Sequence, residues 1–170
     1  MLTYCSNKKE SKDVAEESNA QKFENKDAEK DAQFLVDATS GSYDVIKIAS
    51  VAIARTVNAA IKKMAEELKD ENSAMITELN SMASNKSVTI ANTARQQAIA
   101  AALQLNETSM GSFDKDWLNK MEDLHKVTVK TYEDASNESI DANIKSWASL
   151  NLLKIRGHLD RIKKLADTIK

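Results

Sequence analysis

Residues 61–82 read IKKMAEELKDENSAMITELNSM, with apolar side chains recurring at Ile61, Leu68, Met75 and Met82. Sevenfold spacing keeps these four on one face of an α-helix, and it excludes the strict alternation of a strand. The same period extends in both directions. Upstream, from Asp31, the residues Phe34, Ala38, Val45, Ala49, Ala52 and Ile53 share one face of a first helix, in which Gly41-Ser42 predicts a bend or break. Downstream, Asn85-Lys86-Ser87 interrupts the pattern before an Ala-rich helix from about Ile90 to Leu105. A loop at 106–111 leads to Ser112, an N-cap residue by type, and to a helix with Leu118, His125 and Tyr132 in one row. A turn over 134–139 precedes the last helix, which presents Ile144, Trp147, Ala148, Ile155, Ile162, Leu165 and Ile169. Long amphipathic helices on short connections pack as an antiparallel bundle. The expected fold class is all-α.

Composition agrees. The 170 residues include no proline and only three glycines, Gly41, Gly111 and Gly157, which favours helix nearly throughout. Charged residues make up 29% of the chain, yet the net charge is −2, so there is no electrostatic case for nucleic acid. The stretch KIRGHLDRIKKLADTIK, from Lys154 on, is locally basic. It reads as a membrane-surface or acidic-partner site, or more simply as cations complementing the dipole of the last helical turns. No run approaches the roughly 18 apolar residues of a membrane span.

The single cysteine, Cys5, excludes an intramolecular disulfide framework. Its surroundings, MLTYCSNKKESKDVAEESN, pass from a short apolar segment to a polar one at the cysteine. Leu2-Thr3-Tyr4-Cys5 looks like the end of a bacterial lipoprotein signal, although Tyr4 stands where a small residue is usual and the charged and apolar regions of a signal are missing. Cys5 is therefore the expected lipidation site and the membrane the expected partner; if Met1 is the true start, the chain is cytoplasmic instead. Residues 6–30 are polar and read as a disordered tether or frayed helical arm. The expected division is a signal end and tether over 1–30 and a bundle over 31–170, as a monomer or weak homo-oligomer.

Polar residues interrupt the apolar rows. His125 lies between Leu118 and Tyr132, His158 between Ile155 and Ile162 with Asn151 one heptad earlier, and Glu71 between Leu68 and Met75. Three readings follow. Glu71, His125, His158 and Glu122 (of the Glu122-x-x-His125 pair) form a candidate metal set, with ligands suited to zinc, iron or manganese. A di-iron carboxylate site needs Glu-x-x-His on two helices, and one such motif is present. Alternatively the seam is a small ligand pocket. The favoured reading is a hydrogen-bonded core network that sets helix register and catalyses nothing. No Ser/His/Asp constellation can be assembled, and the scattered glycines form no phosphate loop. Trp117 and Trp147 read as core anchors, the methionines as core filler, and Gly157 beside His158 as a point of close helix approach.

The segments DAQFLVDATSGSYDVIKIASVAI, KKMAEELKDENSAMITELNSMA, GSFDKDWLNKMEDLHKVTVKTYEDA and LNLLKIRGHLDRIKKL, in that order, resemble a bacterial family of predicted outer-membrane or exported proteins. This is domain of unknown function number 4142, within the ferritin-like superfamily. The resemblance covers about Asp31 to Lys170 and rests on Phe113-Asp114, His125 and His158-Leu159. It implies a ferritin-like bundle of four main helices, some broken, a periplasmic or cell-envelope location, and often a lipid anchor. Where the family carries an inward Glu this chain has Val45, and where the family has Asp-His it has Asp70-Glu71. A Leu-Pro before the last helix's His is here Leu152-Leu153. The resemblance supplies a fold without an activity, and any metal set it implies is degenerate in this chain; the expected role is non-catalytic, a binding or structural module, or else a metal binder in redox or stress protection.

Overall fold

The computed structural model describes residues 9–169, which form six helices and no strand. They are α1 (Ser11–Ala20), α2 (Lys26–Arg55), α3 (Ala59–Asn85), α4 (Gln96–Glu107), α5 (Met110–Glu138) and α6 (Ala142–Thr168). Three of the four long helices start on a side chain suited to capping. Asn25 accepts from the Asp27 amide, Asn58 from Ala60 and Ile61, and Asp141 from Asn143 and Ile144. The links at 56–58 and 139–141 are too short for anything except antiparallel hairpins, α2 with α3 and α5 with α6.

Cross-contacts fix how the hairpins pair. Thr56 donates to Asp114 and Lys30 pairs with Glu138, so α5 runs antiparallel to α2. Arg161 pairs with Glu67 and Trp147 donates to Glu78, so α6 runs antiparallel to α3. It follows that α3 and α5 point the same way, and residues 86–109 must carry the chain back along the bundle. Helix α4 is that crossover. Its start is held by Asp44, which accepts from the Arg95 amide at 2.8 Å and from its guanidinium at 2.6 Å. Its end is held by Arg55, which donates to the carbonyls of Leu105 and Thr108 and lies 4.7 Å over the Phe113 ring. Asp44 and Arg55 are about 16 Å apart along α2, at 1.5 Å per residue, close to the length of α4. An anion at the helix start and a cation at its end both oppose the α4 dipole.

Two apolar clusters fill the interior. One gathers Ile48, Ile61, Leu68, Trp117, Leu118, Met121 and Ile162; the other gathers Leu35, Leu79, Tyr132, Ile144 and Ile155. Phe34, Tyr132 and Trp147 pack against one another in the second, with ring centroids 5.2–6.3 Å apart. Between the clusters lie Asn72, His125 and His158, with Asn151 beside them at the edge of the second, all buried.

Four local expectations change. Helix α2 passes through Gly41-Ser42 unbroken, because burial of both flanking turns outweighs one glycine's propensity. The Ala-rich helix begins only at Gln96. Ser87, at φ 56°, ends α3 in a left-handed turn closed by the Val88 amide on the Ala83 carbonyl, and the chain then continues extended. That extended run docks α1: the Asn19 amide group donates to the Thr89 carbonyl at 2.7 Å and accepts from its N–H at 2.8 Å, and Ser11 pairs with Asn92. Residues 11–20 are thus a docked helix rather than a tether, and 26–30 already belong to α2. Helix α5 starts from Ser109 rather than Ser112 and runs through 134–138, leaving a turn at 139–141. Cys5 lies outside the described residues.

Candidate functional site

Helices α5 and α6 bring the two imidazoles together in the polar layer, with ring centroids 5.9 Å apart and planes at 81°. The His125 Nδ1 lies 2.8 Å from the Met121 carbonyl of its own helix. A carbonyl only accepts, so Nδ1 carries the proton and Nε2 is left as the acceptor. His158 Nε2 stands 3.1 Å from a Glu71 carboxylate oxygen and donates to it, leaving Nδ1 unprotonated in the neutral ring. Burial pushes His125 down to about 4, against the Met121 carbonyl and with help from His158. Burial also lowers His158, with Arg161 acting the same way and Glu71 opposing both. At neutral pH, therefore, the layer holds His125 uncharged.

Each residue of the candidate metal set can now be placed. His125 and His158 face inward and face each other. Glu71 reaches His158 from the rim of the bundle, its side chain 43% exposed. The inward position on that turn of α3 belongs to the neighbouring Asn72, whose amide is tied to the Leu68 carbonyl at 2.8 Å. Glu122 is one turn before His125 but pairs with Lys126 at 2.9 Å on the outside of α5. Val45, where the resembled family has an inward Glu, is buried among apolar side chains. Among the described residues, no group of three or more His, Cys, Asp or Glu side chains is arranged to hold a metal. The pieces most suited to one are the imidazole pair and Glu71.

The cavities lie elsewhere. One of about 320 Å³ runs between α2 and α5, walled by Lys30, Asp31, Phe34, Asp37, Asp134 and Glu138. Three of its four carboxylates are matched by cations, Lys12 on Asp37, Lys130 on Asp134 and Lys30 on Glu138, and Asp31 accepts from the Asp141 amide. Gly157 makes no close helix contact: a Cβ built there meets nothing within 4 Å.

Two of the buried polar groups have environments that the sequence does not signal. Asp44 is enclosed by Arg95; burial raises its carboxyl above the usual range even though that guanidinium and its amide pull the other way. Tyr132 reads in the sequence as an apolar row member, yet its hydroxyl is buried with no hydrogen-bond partner among the described residues. No pattern marks either, because each depends on which loop or helix arrives opposite.

The chain has counterparts. The DUF305 fragment from Deinococcus radiodurans, a crystal structure, superposes with a TM-score of 0.73 at 10% sequence identity, over 82% of this chain and 96% of that one. At that identity the likeness shows a shared fold alone. No curated protein matches this chain. The profile of the domain of unknown function family DUF4142 matches residues 16–165, taking in the crossover and nearly all of the four long helices. The chain therefore belongs to the DUF4142 family.

Proposed function

We propose that this chain is a non-catalytic helical module of the bacterial cell envelope, periplasmic or held at the outer membrane by a lipid on Cys5, with a binding or structural role. One observation carries the non-catalytic reading: both inward histidines are engaged inside the bundle, His125 on the Met121 carbonyl and His158 on Glu71. A buried polar layer fixes which helix turns meet, which is the best-attested use of such groups. The one-crossover connectivity supports the ferritin-like assignment, since bundles of that type have a single long connection. The envelope location rests on the family resemblance and on the sequence around Cys5. Incorporation of labelled palmitate, abolished in Cys5→Ser, tests the anchor.

A second reading is a metal binder for zinc, iron or manganese at His125, His158 and Glu71. It is supported by the 5.9 Å separation of the two rings and by the ring nitrogen each keeps free. Elemental analysis of protein purified without chelators separates the two readings. Substoichiometric metal, unchanged in His125→Ala, is the result expected of a structural layer. A stoichiometric transition metal lost in that variant would install the metal reading instead.

A further inference from the structure

Helix α6 carries six cations against two carboxylates, a net +4 in a chain whose total is −2. The simplest account of these cations is compensation of the helix dipole, which acts only within the last turn. The last turn of α6 holds no basic residue, so that account fails. The cations are instead spread from Lys145 to Lys164 on the exposed part of the helix, three of them reaching back to α3 or α5 and three, Lys154, Lys163 and Lys164, pointing to open solvent.

Their arrangement around the helix is ordered. At 100° per residue, Leu150 and Leu153 lie near the middle of the outward face, and they are 63% and 67% exposed. Gly157 and Lys164 follow on the same line, with Asp160 and Asp167 as acidic interruptions at its edge. Lys145, Arg156 and Lys163 flank the line on one side; Lys154 and Arg161 flank it on the other. Arg156 is paired with Glu133 and Arg161 with Glu67, whereas Lys154, Lys163 and Lys164 make no ion pair with any described residue. Apolar knobs between two cationic margins are what an interfacial helix needs: leucines enter the acyl boundary while ammonium groups meet headgroup phosphates. No helix of the described residues is long and apolar enough to cross a membrane, so the contact is one of surface only.

We infer that the outer face of α6, with Leu150 and Leu153 between Lys154, Lys163 and Lys164, docks on an anionic phospholipid bilayer. A second copy of this chain is the poorer occupant, because it would set two net-positive faces against each other. This surface owes nothing to Cys5, so the test uses chain that carries no lipid.

The test is co-sedimentation with vesicles of phosphatidylglycerol and phosphatidylcholine in equal parts, against pure phosphatidylcholine. Binding is expected only to the anionic vesicles and to weaken with added salt. Removing Lys154, Lys163 and Lys164 together as Gln should reduce partitioning about a hundredfold, each cation near the surface counting for about fivefold. Leu150→Ser with Leu153→Ser should reduce it roughly tenfold through lost apolar insertion. Lys62→Gln with Lys69→Gln, on the exposed side of α3, should change nothing. Thermal melts of the α6 variants should overlay the parent, since every altered residue is exposed. Equal binding to both vesicle types, no binding to either, or binding untouched by the α6 variants would overturn the inference.

Discussion

Acid should find this bundle through His125. In the unfolded chain its imidazole titrates near 6.5, and burial holds it at about 4 in the folded one. Above pH 6.5 the ring is neutral in both states and contributes no pH dependence. Below that, the unfolded chain takes up the proton first, so stability falls as pH falls through the window from 6.5 to 4. Below about 4 both states are charged and the loss levels off. One pKa unit corresponds to about 1.4 kcal/mol, so the loss is about 2 kcal/mol at pH 5 and about 3 kcal/mol at the plateau. His125→Leu removes that term. It leaves no orphaned group, because the Met121 carbonyl keeps its place in the helix ladder, and the two side chains are similar in volume. At pH 7 the variant should match the parent within about 1.5 kcal/mol. Urea unfolding followed by circular dichroism, at half-unit steps from pH 7.5 to 4.5, gives both curves. The titration of His158 is present in each protein and largely cancels in their difference. The difference should grow in favour of the variant by about 2 kcal/mol between pH 7 and pH 5. Parallel curves would refute the claim that His125 is buried uncharged in the polar layer.

Gly157→Ala should stabilise the protein by about 1 kcal/mol, raising Tm, because the added methyl enters open space on an exposed helix face. A loss of stability would mean that something approaches Gly157 in solution. Tyr132→Phe should be neutral or stabilising by up to about 1 kcal/mol, since it removes a buried hydroxyl that has no partner. A drop of 2 kcal/mol or more in urea would show that the hydroxyl is satisfied. Asp44→Ala should cost about 2–4 kcal/mol in the same assay, because it strands the Arg95 guanidinium and the first amide of the crossover. An effect below 1 kcal/mol would deny α4 its fixed start.

The long helices were legible because each buries one broad face and keeps a repeating row there. Ile61 and Leu68 in α3, Leu118 and Tyr132 in α5, and Ile155 and Ile162 in α6 are all buried as their spacing requires. What stayed hidden depends on contacts without periodicity. Helix α1 docks through Asn19 and Ser11, and Lys22 just beyond it, onto backbone and side chains of 87–92, and a polar segment of that kind looks unstructured by composition. The candidate site was legible by half. The spacing of His125 and His158 placed both rings inside, whereas Glu71 sits one residue off the inward line that Asn72 occupies. A single-residue offset is 100° around a helix, enough to turn a core ligand into a rim group. Glu122 shows the same limit, being close to His125 in sequence and turned to Lys126 in space.

The charges that grip α4 from Asp44 and Arg55 bear on which bundle this chain builds. Its two hairpins are assembled from neighbours in sequence and need little search. Joining them leaves a choice of topology, since the second hairpin can enter with α5 running against α3 or alongside it. Apolar faces alone discriminate poorly between such arrangements, which differ in connectivity more than in area buried. A rod of matched length, clasped at one end by a carboxylate and at the other by a guanidinium, admits only the arrangement in which the chain returns before turning again. Those two residues act on the choice among folds, a role that a tally of stabilising contacts in the finished molecule would not disclose.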